Sequence, residues 1–228
     1  NEAQGNPGSW NGAVNYSGYG QLGSMENQNL LYLEVIMIFN EGHALVIGVG
    51  SHQFHPQHDV PITVRDAKAV HDILIDPETC GYPAGQTEFL HDNMATTQDI
   101  SSALNVLANR VKESDTVFIY FSGHGAFGTD DNYYLATHDV KFSDKGGKEL
   151  LIEEGTGLSQ VKLVEMLKQI QAEKVLMIFN ACHSGSLQLG NLGEESADLV
   201  EGRSLPDITA SALLGTGEGR IIFSACKP

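Results

Sequence analysis

The apolar positions of this chain follow two rhythms, and their alternation outlines its architecture. Continuous runs rich in Ile, Val and Leu occur at residues 30–39, 44–49, 117–121, 175–179 and 221–223, as expected of strands buried on both faces. Between them, apolar residues recur at helical spacing. Val64, Ala67, Val70, His71 and Leu74 form one stripe, which ends before Asp76-Pro77, where proline drives its predecessor out of the helical region. Ile100, Leu104, Leu107 and Val111 line a second face behind the capping box Thr96-x-x-Asp99, and that pairing marks a helix start. Val161, Val164, Leu167 and Ile170 make a third, opened by Ser159. Residues 87–91 and 133–135 read as short strands. Strands alternating with helices predict an α/β fold of three layers: a mostly parallel sheet with right-handed crossovers and helices on both faces. In such sheets ligands bind beyond the carboxyl ends of the strands.

Outside these elements the pattern is polar. Residues 1–29 are rich in Gly, Asn, Ser and Gln, the composition of a flexible arm or linker, and Gly23-Ser24-Met25 reads as a cloning junction. The domain proper is therefore expected over 30–228. Residues 186–219 are rich in Gly, Ser, Glu and Leu with few regular signals, which predicts a long functional or disordered loop.

Composition narrows the function classes. Of 228 residues, 41% are hydrophobic and 18% charged, with 13 Lys plus Arg against 29 Asp plus Glu and a net charge of −16. A core is affordable in such a chain, while the acidity argues against binding nucleic acid or anionic membranes and favours basic ligands. The longest apolar run, ten residues interrupted by Glu34, is half the ~20 needed to cross a bilayer. No secretory leader is visible, and three cysteines make no disulfide framework, so reduced thiols and a cytoplasmic setting are expected.

The candidate chemistry lies just past two apolar runs. Residues 117–121 lead into Ser122-Gly123-His124-Gly125, and 175–179 into Asn180-Ala181-Cys182-His183-Ser184-Gly185. Neighbouring strands lie ~4.8 Å apart, so His124 and Cys182, 58 residues apart in sequence, can share one crevice as a thiol nucleophile and its base. Gly123 and Gly125 are expected to let a substrate backbone approach the imidazole, and the N–H groups of Gly125 and Cys182 to point at a developing oxyanion. Strand alternation turns His183 away from that pocket. Gly123-His-Gly125-Ala-Phe-Gly128 fits G-x-G-x-x-G, but a turn, Thr129-Asp130-Asp131-Asn132, follows it where a nucleotide site needs a helix. His52, His55 and His58 read as residues of a polar loop, without the Cys or carboxylate partners of a metal site; no metal ligand is assigned. Cys226 reads as a small core residue.

The blocks SGHG and NACHSG, with ALVIGVG and VRDAKAV upstream, resemble the caspase-like cysteine peptidases, in particular the metacaspase and bacterial orthocaspase branch. The family's spacing of about 50 residues between His and Cys agrees with the spacing here. The resemblance implies a caspase-like fold and a cysteine endopeptidase that acts on proteins or peptides through a thioester. His124 is then the acid/base and Cys182 the nucleophile. It implies a pocket for Arg or Lys, with Asp66 matching the family's pocket aspartate and Ser122 its serine; Asn180 stands where the family commonly has a second aspartate. It implies maturation by cleavage within 186–220, with Arg203 and Arg220 as candidate sites, and a sensor or regulatory domain joined through the N-terminal arm. No cofactor is required, though calcium activation belongs to the family, and Asp130 and Asp131 alone offer too few oxygens for a site. The family domain continues beyond the strand IIFSAC. The alternative is a catalytically idle scaffold of the same fold.

Overall fold

The computed structural model describes residues 39–144, 150–183 and 205–224, all within one compact unit, Ile36–Pro228. In chain order the elements are β1 (Gly42–Gly48), α1 (Ile62–Ile75), β2 (Thr87–His91), α2 (Thr97–Arg110), β3 (Thr116–Phe127), β4 (Tyr133–Leu135), β5 (Phe142–Asp144), β6 (Leu150–Ile152), β7 (Leu158–Ser159), α3 (Gln160–Leu167), β8 (Lys174–His183), α4 (Asp207–Leu214) and β9 (Arg220–Ser224). The N-terminal arm, the apolar stretch 30–38, Ser184-Gly185, Arg203 and Cys226 lie outside the described residues.

Five strands form a parallel sheet in the order β2-β1-β3-β8-β9, and β4 and β7 join antiparallel beside the upper part of β3. The helices α1, α2 and α3 each follow a local signal. The α1 stripe ends at Asp76 before Pro77. At α2 the capping box is present in both directions, the Thr96 side chain accepting from the Asp99 N–H and the Asp99 carboxylate from Thr96. Ser159 caps α3 by accepting from the Lys162 N–H.

The sheet is covered on both faces, as predicted. On one, Val117, Ile119, Phe121, Val175, Met177 and Phe179 pack with Ile100, Leu104 and Leu107 of α2, Leu163 and Leu167 of α3 and Leu213 of α4. On the other, Ala44, Val46 and Tyr120 pack with Ala67 and Leu74 of α1.

Three features depart from the sequence expectation. First, β3 and β8 do not stop at residues 121 and 179; both run through the Gly-containing blocks, to Phe127 and His183. The reason is that β4 and β8 supply ladder partners to the upper part of β3, as far as Phe127↔Tyr133 and Gly125↔His183. Second, the stretch expected as loop up to residue 219 contains α4, whose Thr209 and Leu213 are buried while Ile208 is 72% exposed. A helix of eight residues with so weak an apolar stripe is held by tertiary packing rather than by its own pattern. Third, β5 and β6 form a separate antiparallel pair too short to signal itself in sequence.

Gly48 sets how closely α1 approaches. A Cβ there would lie 2.8 Å from the Ala67 Cβ and 3.0 Å from the Val64 Cα, so helix backbone, not a yielding side chain, fills the space. Gly48→Val is expected to destabilise by about 1–3 kcal/mol, the usual cost of overpacking. Urea unfolding checks this, and an unchanged midpoint would show that α1 is free to shift.

Candidate active site

Ten consecutive residue pairs tie β3 to β8, from Thr116↔Lys174 to Gly125↔His183, and within this ladder His124 stands directly opposite Cys182. The two predicted residues therefore occupy neighbouring positions on adjacent strands, inside the strands rather than beyond their ends.

The imidazole of His124 is seated by backbone. Its Nε2 lies 2.9 Å from the His58 carbonyl oxygen. A carbonyl only accepts, so Nε2 carries the hydrogen, and the neutral ring keeps its lone pair at Nδ1. Burial lowers the His124 pKa below the ordinary histidine value, although the His58 carbonyl and the Asp59 charge pull the other way. The ring is thus held neutral, in the tautomer that can take a proton at Nδ1.

The loop before α1 that supplies His58 is anchored at several points. Asp92 accepts the Gly50 and Ser51 N–H groups at 3.0 and 2.9 Å, from a left-handed backbone conformation with φ 45°. Asp59 accepts the His52 N–H at 2.8 Å, the His138 Nδ1 donates to the Ser51 carbonyl at 2.9 Å, and the Phe142 N–H donates to the His55 Nε2 at 3.1 Å. His52 and His58 are buried, and the His52 ring lies against that of His124, centroids 5.5 Å apart and planes 28° apart. The expectation of a polar histidine loop is therefore corrected: the loop folds inward and encloses His124. No sequence signal marks this, since the three histidines lie far from His124 along the chain. Among the described residues no group of three His, Cys, Asp or Glu side chains forms a metal site.

The glycines flanking His124 serve a different purpose from the one expected. A Cβ on Gly123 would meet the Phe121 ring at 3.0 Å, and one on Gly125 would collide with the Tyr133 phenol. Both glycines make room for the protein's own aromatic rings on the core side, not for a substrate backbone. The His124 carbonyl accepts the Ala136 N–H on the β4 side at 2.9 Å. Because a trans peptide directs its C=O and N–H oppositely, the Gly125 N–H points to the β8 side, where Cys182 lies.

Asp66, Ser122 and Asn180 gather on the α1 side of the sheet. Ser122 is opposite Asn180 in the ladder, and the Asn180 Nδ2 donates to the Ser122 Oγ at 3.1 Å. Beside them lies Tyr120, which reads in sequence only as strand core. Burial raises its phenol pKa, with the Asp66 charge pushing the same way and hydrogen bonds to Ser122 and Asn180 opposing. The clue was alternation: Tyr120, Ser122 and His124 share one face of β3.

Two other candidates are tied down. The Asp130 carboxylate accepts from the Asn132 N–H and Nδ2 and from the Tyr134 hydroxyl, and Asp131 has a left-handed φ of 62°, so this acidic pair builds a turn. Arg220 lies in β9 opposite Val175 and donates to the Ala172 and Ile170 carbonyls at 2.5 and 2.8 Å. Its side chain is thus spent on holding β9 to the turn before β8.

Residues 41–228 match a peptidase family model described as the caspase domain. Among solved structures, a protein from Geobacter sulfurreducens is similar at 20% identity and a TM-score of 0.49, covering 64% of this chain and 52% of that one. No curated protein matches. The chain thus spans about half the length of this solved relative.

Burial lowers the proton affinity of His43, His52, His58 and His124, His52 to about 4. Each group binds its proton more weakly folded than unfolded, so as pH falls below the ordinary 6.5 the unfolded chain takes up protons first. Stability is expected to be full above pH 6.5 and to fall continuously to about pH 4. Urea midpoints across that range check this; a flat profile would show that these rings are accessible to protons in the folded state.

Proposed function

The chain belongs to the caspase-domain family, and from that premise we propose that it is a cysteine endopeptidase of the metacaspase and bacterial orthocaspase branch, with Cys182 as nucleophile and His124 as acid/base. The family supports a cysteine-type peptidase, a hydrolase; the residue roles rest on one observation, the ladder register that sets His124 opposite Cys182 while the His58 carbonyl leaves Nδ1 as the basic nitrogen.

In this reading the Cys182 thiol gives its proton to the His124 Nδ1 and the sulfur attacks the scissile carbonyl carbon. The oxyanion that forms needs N–H donors beside Cys182; those of Gly125 and Cys182 lie in the β3–β8 ladder, so they serve only once its last pairs part. The tetrahedral species collapses, the C–N bond breaks, and the leaving amine takes the proton from His124. Water then gives a proton to His124 and adds to the thioester, releasing the acid and restoring the thiol.

Substrates are proteins or peptides cleaved after Arg or Lys. Asp66 supplies the charge for the basic side chain, Ser122 and the Asn180 amide oxygen supply neutral acceptors, and the net charge of −16 draws basic peptides in. Maturation occurs by cleavage between residues 186 and 220, with Arg203 the favoured site. A sensor domain attached through the N-terminal arm and activation by calcium complete the family-based proposal.

The test is a set of fluorogenic peptides differing only in the residue before the scissile bond. The unaltered chain, Cys182→Ala and Asp66→Asn are compared, each with and without calcium. Cleavage after Arg or Lys is expected, falling at least about a thousandfold in Cys182→Ala. In Asp66→Asn, kcat/KM for the Arg peptide is expected to fall about 10–100-fold, the value of a hydrogen bond to a charged group. Cleavage after another residue would keep the peptidase and remove the specificity. No turnover, with Cys182 alkylated no faster than the exposed Cys80, would favour the idle scaffold.

A further inference from the structure

The loop that encloses His124 contains one buried histidine that the proposed reaction does not use. His52 is 2% exposed, and among the described residues neither of its ring nitrogens has a hydrogen-bond partner. Asp59 Oδ1 is 3.5 Å from Nδ1 and already takes the His52 backbone N–H. An imidazole buried without hydrogen bonds costs stability, and an aliphatic side chain would fill this space without that cost. The ring's distinguishing contacts are made through its face. It stacks on His124 with centroids 5.5 Å apart and planes 28° apart, and Phe142 of β5 packs on it at 5.6 Å.

We propose that His52 is a positioning residue for His124: its ring is an aromatic platform that holds the His124 plane, keeping Nε2 on the His58 carbonyl and Nδ1 free to take a proton. The inference rests on the reading of His124 as the general base. Offset aromatic stacking fixes a ring plane in a way an aliphatic contact does not, and the aromatic face also favours the imidazolium that forms when the thiol is deprotonated. The groups facing His52 are consistent with this role. His124 approaches from β3, His58 and Asp59 from the loop, and burial together with the charge on His124 keeps His52 neutral against the pull of Asp59. The platform therefore stays uncharged while His124 gains and loses its proton.

The experiment compares His52→Phe, which keeps an aromatic face, with His52→Leu, which keeps apolar volume only. His52→Met replaces the leucine variant should the latter fail to fold. Two readouts are taken: peptidase kinetics, and the 15N resonances of the His124 ring, which report its tautomer without reference to activity. His52→Phe is expected to keep kcat within threefold and the His124 Nε2–H tautomer intact. His52→Leu is expected to lower kcat at least tenfold with KM within twofold, and to populate the Nδ1–H tautomer. Equal kinetics and an unchanged tautomer in the two variants would overturn the proposal while leaving the peptidase reading standing. An inactive parent chain whose His124 tautomer responds to Leu and not to Phe would retain the positioning role and remove the peptidase.

Discussion

The register of β3 against β8 is the constraint on which the rest of the site depends. Side chains alternate faces along a strand, so a slip of one residue would send every side chain of one strand to the opposite face. Such a slip would trade Phe179, now buried beside Phe121, for Asn180. Core packing on the α2 and α3 side therefore enforces the register. The same register, read on the α1 side, sets Ser122 opposite Asn180 and His124 opposite Cys182. The chemistry-bearing positions need no dedicated device to find one another; the hydrophobic effect acting on the far face brings them together.

Desolvation is the second determinant, and it acts on protons. A chain with a net charge of −16 would be expected to hold its histidines protonated more readily than usual, through a general attraction for cations. The opposite holds at this site, where burial lowers His52, His58 and His124 together. Local loss of water outweighs the distant negative surface because exposed charges are screened within about 10 Å and buried groups are not. Asp59, the one nearby carboxylate that pulls His124 upward, does not reverse the balance. The arrangement suits a base that must begin neutral, and the fixed Nε2–H bond to His58 determines which nitrogen is available.

Much of this was legible in the chain, and the rest was hidden for physical reasons. The parallel strands and, among the described residues, three of the four α-helices announced themselves through periodicity and caps, Thr96-x-x-Asp99 most clearly. The two blocks around His124 and Cys182 were recognisable because reactive side chains follow apolar strand runs. The continuation of both strands through those blocks was not, since glycine and serine carry little strand preference and the pairing with β4 and β8 is long-range. Nor could the inward turn of His52 and His58 be read, because polar residues near Pro and Asp resemble a solvated loop until Asp92 and Phe142, distant in sequence, are seen to anchor it. The role of Gly123 and Gly125 was misjudged on similar grounds: a glycine marks a close approach, but sequence does not say which partner approaches, and here it is Phe121 and Tyr133.

The asparagine at position 180 bears on the proposed preference for Arg or Lys through hydrogen-bond polarity as well as charge. An aspartate there would only accept, and would turn the Ser122 hydroxyl hydrogen toward itself. Asn180 instead donates to the Ser122 Oγ, and both side chains hydrogen-bond the Tyr120 phenol, which leaves the amide oxygen as the acceptor on offer. The face then presents one formal charge, at Asp66, beside neutral acceptors. A guanidinium has five N–H donors in a rigid plane and can use separated acceptors of this kind, whereas a lysine ammonium is a compact point charge that depends more on the total negative charge around it. Under the proposed preference, replacing one carboxylate by an amide thus costs a lysine more than an arginine.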